Sequence, residues 1–408
     1  MLALVGRADG TGSVPGRRVA ITGIGVIASC GIGKEAFWEG LLATPADGTR
    51  RVEGFDGTPY FGAKEVRRID RFAQFAVAAA EEAIADTGGL EDLGVDPDRI
   101  GVFIGSGVGG LETLEIQITR FNEKGPRGVS PFMVPMIMSN AGAANVSMRF
   151  DLRGPCETVV TACASGTHSV GNAARVIATG RADVMLAGGS EASCTGVAAA
   201  AFGNMTALSR AGRSMPFDQA RDGFVMAEGC AVLVLEEWNR AVARGAHIYA
   251  ELAGSASNAD AHHITAPSPG GPGAATCMEQ AIMDAGLSPA DIAHINAHGT
   301  STPLNDAAEA EAINKVFGTP GPPVTSTKGV IGHALGAAGA IETVASVLTI
   351  VHELIPPTAG LTELDPDVHL DVVAGGPRPW VPGPTLSNSF GFGGHNGCLV
   401  ISPDGTKP

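Results

Sequence analysis

The segment Thr158-Val-Val-Thr161-Ala-Cys163-Ala-Ser-Gly-Thr-His-Ser-Val-Gly171 carries a short β-branched stretch through a cysteine and into a run of small residues. β-Branched residues suit a strand, so a strand is expected over Thr158–Thr161 and a helix over Ala164–Gly180. A sharp strand-to-helix turn exposes the side chain at its tip. It also sets the Cys163 sulfur at the positive end of a helix, which favours thiolate over thiol. Cys156, Cys194, Cys230, Cys277 and Cys398 have no such flanks and read as buried apolar fillers.

The same strand and helix alternation extends in both directions. Upstream, strands are expected at Arg18–Val26 and Ile100–Gly107, with an Ala-rich amphipathic helix over Phe72–Thr87 between them. Downstream, strands follow at Ala182–Ala187, Cys230–Glu236, Ile248–Ala253 and His294–Ala297, with helices at Thr276–Ala285, Asp306–Val316 and Ala338–Val351. Strands at Thr385–Phe390 and Gly397–Ser402 close the chain around a Gly-rich turn. Such alternation predicts an α/β protein with mixed or parallel sheets covered by helices. Two stretches of similar content, 18–250 and 251–408, suggest an internal duplication, although no residue-level repeat is visible; residues 1–17 are Gly, Ser and Arg rich and are expected to fray.

Composition narrows the function classes. Among 408 residues, 44% are hydrophobic and 17% charged, which excludes a disordered chain, and 57 glycines with 5% aromatics point to backbones in close approach. A net charge of -15 opposes nucleic-acid binding, which depends on clustered Lys and Arg. Seven cysteines without CxxC spacing give neither a disulfide framework nor a zinc ribbon and suit reduced thiols in the cytoplasm. The apolar start before Arg7 is too short for a signal-peptide core, and the uncharged run Ala192–Ser209 is too rich in Ser, Thr, Gly and Asn for a membrane span.

Two histidines stand in loops after strands, bracketed by small residues: His298 in Asn296-Ala-His-Gly-Thr300-Ser-Thr302, and His333 in Ser326-Thr-Lys328-Gly-Val-Ile-Gly-His333. A pair of neutral imidazoles can stabilise charge developing on a thioester or enolate oxygen. His247, His294, His352 and His369 read as structural. Lys328 and Glu342 flank a segment free of charge from Gly329 to Ile341, and a cation near His333 would hold that ring neutral. No His/Asp/Glu cluster has helical metal spacing, so no metal is expected. In Asn388-Ser-Phe390-Gly-Phe392-Gly-Gly-His395, a large ring on a glycine hinge reads as a movable gate. Gly105-Ser-Gly-Val108-Gly-Gly lacks the downstream acidic ribose partner of a dinucleotide site.

These segments together resemble a β-ketoacyl-[acyl-carrier-protein] synthase of the thiolase superfamily, near the synthase II type. The resemblance spans about Arg18–Ser402 and rests on TACASG, NAHGTST, STKGVIGHALGAAGAIE and NSFGFGGHN. It implies a thiolase-like α-β-α-β-α sandwich of two similar halves, 18–250 carrying the cysteine and 251–408 carrying the histidines. It makes Cys163 the acylated nucleophile, His298 and His333 the groups supporting malonyl decarboxylation and condensation, and Lys328 and Glu342 their support. The backbone amides of Cys163 and Phe392 would form an oxyanion hole, with Phe392 and Phe390 in the gate. Thr300 and Thr302 match pantetheine contacts, and Val108 and Phe202 the acyl pocket. No cofactor is implied beyond the phosphopantetheine of the acyl carrier protein.

Polyketide ketosynthases share these motifs, so the implied partners are the acyl carrier protein and either a second copy or a chain-length factor, with no nucleic acid and no membrane. Alternatives are a thiolase-like enzyme using coenzyme A and a non-catalytic partner of the same fold; intact Cys163, His298 and His333 oppose the latter. Three departures stand out: a shortened region between Leu42 and Lys64, His395 where many relatives carry Thr, and Thr206 where a basic carrier-docking residue is common. An acidic partner meets a local patch rather than the net charge. Lys64-Glu-Val-Arg67-Arg68-Ile-Asp70-Arg71 holds four basic and two acidic residues in eight positions, and Arg127 lies in the KGPRG loop.

Overall fold

The computed structural model describes residues 16–45 and 47–403; residues 1–15 of the expected frayed segment lie outside them. Arg17 is within them and is tied down, its amide donating to the Ala178 carbonyl and its guanidinium pairing with Asp183. Among the described residues, ten strands form the continuous path of the main sheet: β1 (Val19–Ala28), β2 (Ile100–Gly105), β3 (Cys156–Glu157), β4 (Val184–Glu191), β5 (Gly229–Glu237), β6 (Ala250–Ala259), β7 (His294–Asn296), β8 (Val324–Thr325), β9 (Thr385–Gly391) and β10 (His395–Ser402). Five helices cover them: α1 (Arg71–Asp86), α2 (Ser165–Ala178), α3 (Pro272–Asp284), α4 (Pro303–Phe317) and α5 (Ala338–Val351).

The strands run in the order β3-β2-β4-β5-β1, then β6-β10-β9-β7-β8, joined where Ala20 and Ile21 pair with Glu251 and Ala250. Read outward from that junction, both halves show the same order and sense. A first strand pairs antiparallel with the last, the last antiparallel with the fourth, and the fourth parallel with the second. The two halves suggested by content are therefore alike in strand order and sense.

Period-2 alternation distributes the core. Ala231, Leu233 and Leu235 of β5 face a central cluster, while Cys230, Val232 and Val234 face an outer one with the alanines of α1. Leu399 and Ile401 of β10 join the central cluster, and Cys398 and Val400 pack with α3 and α4. Helices α2 and α5 thus lie between the two half-sheets, giving the layers α1, sheet, α2 with α5, sheet, α3 with α4. The glycine-rich, ring-poor composition follows from this close layering. A Cβ on Gly25 would lie 1.9 Å from the Ala79 carbonyl of α1, and one on Gly339 of α5 would lie 1.9 Å from Thr167 Oγ1 of α2.

One expected strand is absent. Residues 158–161 leave the sheet after the two-residue edge strand β3, because the chain must turn inward to feed the start of α2. Among the described residues no helix is long and apolar enough to cross a membrane.

Candidate active site

Cys163 sits on a 3-10 turn, Ala162–Ala164, that runs directly into α2. Ala162 takes a left-handed φ of 50°, a conformation costly for a residue with a Cβ. Ser165 holds the turn, its Oγ accepting from the Thr161 amide at 2.9 Å and donating to the Ala162 carbonyl at 2.7 Å. The sharp turn expected from the sequence is present, but the resting thiol differs from the expectation. Cys163 is 6% exposed, and burial pushes its thiol up to about 11, outweighing the Phe392 amide and the Lys328 cation that pull it down. Burial thus favours the thiol over the thiolate in the resting site.

His333 Nε2 lies 3.1 Å from Cys163 Sγ. The His333 backbone is pinned to a neighbouring strand segment, its amide donating to the Val225 carbonyl at 2.7 Å and its carbonyl accepting from Ala227. His298 follows β7, and its ring stands nearly perpendicular to that of His333 with centroids 5.4 Å apart. Both imidazoles are held well below their ordinary pKa, first by burial and then by the Lys328 cation.

Lys328 holds His333 neutral, as its place in the sequence suggests, while its direct contacts are with His298: its Nζ donates to the His298 carbonyl at 2.6 Å, lies 3.3 Å from Nδ1, and pairs with Glu342. With Nδ1 facing an ammonium, the neutral His298 ring carries its proton on Nε2. Glu342 is pushed up to about 7 by burial, against the pull of Lys328.

The Cys163 sulfur, His298 and His333 donor atoms all lie within 4.8 Å of one another, a grouping of metal-ligand type that sequence spacing could not show because it joins three separate segments. The Lys328 ammonium against His298 opposes a second cation there.

These groups line a cavity of about 540 Å³ whose wall also includes Val108, Phe202, Thr300, Thr302, Phe390 and Phe392. Thr300 and Thr302 share a hydroxyl–hydroxyl bond of 2.8 Å. Phe202 packs edge-on against Phe224, which packs against His333 in turn. Gly391 lets the gate segment press on the nucleophile turn, since a Cβ there would meet the Thr161 carbonyl at 2.8 Å and the Cys163 amide at 3.1 Å. Thr206 also lines this cavity.

Lys64, Arg67, Arg68 and Arg127 are exposed and lie outside the cavity wall. Lys64, Arg67 and Arg68 edge a shallow surface depression, and Arg68 packs over the Phe132 ring at 4.4 Å. Arg71, counted with that patch in the sequence, belongs to the interior instead: it pairs with buried Glu228, while Asp70 caps α1.

Two supporting groups escaped the sequence. Glu309 of α4 accepts from the His298 and Gly299 amides at 2.8 Å each and from Asn388, fixing the loop that carries His298. His168 of α2 bridges Thr161 Oγ1 at 2.8 Å and the Asn396 carbonyl at 3.0 Å, joining the nucleophile turn to β10. The only sequence signal of His168 is a titratable residue in a helix of small residues, and that of Glu309 is a carboxylate one turn after Asp306 on a face of alanines.

Models described as the N-terminal and C-terminal domains of beta-ketoacyl synthase match residues 49–241 and 249–362. The 3-oxoacyl-[acyl-carrier-protein] synthase 2 of Synechocystis sp. is 43% identical over 407 residues, covering 94% of this chain and 98% of its own. Among solved structures, the ishigamide ketosynthase/chain length factor aligns with a TM-score of 0.90 at 33% identity, over 96% of this chain and 100% of that one. A type II PKS acyl-carrier protein in complex with its ketosynthase bound to the hexaketide gives 0.86 at 33% identity, over 95% and 100%.

Proposed function

The chain belongs to the β-ketoacyl synthase family and is a condensing acyltransferase, and we propose that Cys163, His298 and His333 carry out its decarboxylative Claisen condensation on acyl-carrier-protein thioesters. The observation that carries these roles is the 3.1 Å contact between His333 Nε2 and Cys163 Sγ at the inner end of the cavity.

Two half-reactions follow. In the first, His333 takes the Cys163 proton as sulfur attacks the acyl thioester, and it returns that proton to the departing carrier thiol. The amides of Cys163 and Phe392, both directed at the sulfur, meet the oxyanion. In the second, malonyl-carrier protein enters past Thr300 and Thr302. Its carboxylate leaves as CO2, and the electron pair delocalises onto the thioester oxygen. The Nε2–H of the neutral His298 ring, its tautomer set by Lys328, stabilises this enolate. The enolate carbon then attacks the acyl group on Cys163. The thiolate leaves, and one proton from solvent restores the thiol. No metal or cofactor enters this scheme.

Lys64, Arg67, Arg68 and Arg127 are assigned to carrier docking, supported by their exposure and by the absence of an ion pair at any of the four among the described residues. A homodimer, or a heterodimer with a chain-length factor, is supported by the exposed apolar residues Met148, on a helix packed against edge strand β3, and Val160, three residues after that strand. Seven free cysteines suit a cytoplasmic enzyme. A second reading, condensation in a polyketide pathway rather than in fatty-acid elongation, is favoured by the ketosynthase/chain length factor likeness.

The direct test is mass spectrometry of Cys163 after exposure to acyl-carrier protein. An acyl adduct on the wild type that vanishes in Cys163→Ala is expected, and an adduct persisting in that variant rejects the assignment.

A further inference from the structure

Glu191 ends β4 and is fully buried; it has no step in the scheme above, although its charge is among the influences that raise the Cys163 thiol. Four neutral donors converge on it. Its Oε2 accepts from the Gly107 amide at 2.7 Å and the Gly336 amide at 3.1 Å. Its Oε1 accepts from Ser193 Oγ at 2.9 Å and Ser106 Oγ at 3.3 Å. Burying a carboxylate is costly, and hydrogen bonds of this number are what make it tolerable. The two segments so gathered are the walls of the cavity: Gly107 and Val108 on one side, Leu335 on the other.

Val108 is held from both ends. The amide before it, on Gly107, bonds Glu191 directly; the amide after it, on Gly109, donates at 3.0 Å to Ser106 Oγ, which is itself bonded to Glu191. On the other wall, Gly336 directly follows Leu335 and lies three positions after His333. The walls touch at the carboxylate, where a Cβ on Gly336 would fall 2.2 Å from the Gly107 nitrogen and one on Gly107 would fall 2.8 Å from Glu191 Oε2.

We propose that Glu191 is a positioning residue for acyl-chain selection, clamping Gly107 to Gly336 so that Val108 and Leu335 stand as fixed walls of the branch that receives the acyl tail. The role rests on the assignment of Cys163 as the acylated nucleophile. It requires an acceptor rather than a charge. In Glu191→Gln the remaining oxygen can still take both amides, and the new NH2 can donate to the two serine hydroxyls, which rotate to accept. In Glu191→Ala the two amides lose their partner and the walls come free.

The test is self-acylation of Cys163 in the full-length chain by carrier-bound acyl groups graded from acetyl to long-chain, with iodoacetamide labelling as a probe that needs no acyl branch. Glu191→Gln is expected to keep the wild-type length profile within about twofold, and Glu191→Ala to lose long-chain acylation by about tenfold or more relative to acetyl. Ser106→Ala cuts only the arm to Gly109, so it should shift the profile in the same direction by less, and it serves where the alanine variant at Glu191 does not fold.

A wild-type profile in Glu191→Ala or Ser106→Ala overturns the proposal. So does an equal loss at every chain length, or a Gln variant as impaired as the Ala variant. If the wild type alkylates but takes no acyl group at all, the nucleophile assignment itself falls, a result separate from any change in profile.

Discussion

The Lys328 ammonium is bonded to the His298 carbonyl at 2.6 Å and stands 3.3 Å from the same residue's Nδ1, with no part of the lysine exposed. One buried cation thus fixes the position of an imidazole, orients its proton and suppresses its charge. Glu342, its ion-pair partner in the next helix, makes that cation tolerable in a dry interior.

Removing the lysine alone should therefore be worse than removing the pair. Lys328→Met leaves Glu342 buried without its partner, and breaking a buried pair from one side costs about 3–5 kcal/mol. Urea unfolding should show that loss for Lys328→Met and partial recovery in the Lys328→Met/Glu342→Leu double variant. Equal destabilisation of single and double variants would show that the pair is not coupled.

Much of this was legible in the residues. The nucleophile turn at Cys163, the loops of His298 and His333 and the helix Ala338–Val351 all follow from local chemistry: β-branched runs, small residues and glycine stops. The strand at Thr158–Thr161 was misread because β propensity is overridden where the chain must turn into the site. The Cys163 thiol differs from its local expectation for a related reason, since a helix terminus is local and readable whereas burial at 6% exposure is a product of the whole fold. Glu191, Glu309 and His168 act by bridging segments far apart in sequence, so no spacing announces them.

His294 offers a pH prediction. It is buried at the start of β7 against Trp380, neither ring nitrogen has a hydrogen-bond partner among the described residues, and burial holds its pKa down to about 3. The unfolded value is about 6.5. A folded pKa lowered in this way gives stability that is complete above about pH 6.5 and is lost as pH falls, because only the unfolded chain takes the proton. His294→Phe removes that penalty. Its stability advantage over the wild type should grow by about 2 kcal/mol between neutral pH and about pH 5. His298 and His333 titrate alike in both proteins and cancel in the difference. An advantage independent of pH would contradict the burial of a neutral ring.

Gly391 makes a steric prediction for the gate. With the Thr161 carbonyl and the Cys163 amide so near its missing Cβ, Gly391→Ala must push the Phe390–Phe392 segment away from the nucleophile turn. The Phe392 amide then no longer aims at the oxyanion, and a misplacement of this size costs about 100-fold in rate. Acylation of Cys163 should fall accordingly while the thermal midpoint moves little. A normal acylation rate would remove Phe392 from the oxyanion hole.

The basic patch makes the last prediction, and it turns on the contrast between a net charge of -15 and the local field that a docking partner meets. Lys64, Arg67 and Arg68 are exposed on one short segment, and Arg68 is steadied by the Phe132 ring, so this segment presents positive charge to an approaching acidic protein. Arg71 does not contribute, being committed to Glu228. Charge reversal in Arg67→Glu/Arg68→Glu should raise the KM for carrier-bound acyl groups and leave reaction with a small thioester unchanged, since the patch lies outside the cavity wall. Salt should raise the wild-type KM by screening the same attraction and have little effect on the variant. Equal losses with both substrates, or a variant KM as salt-sensitive as that of the wild type, would place carrier docking elsewhere on the surface.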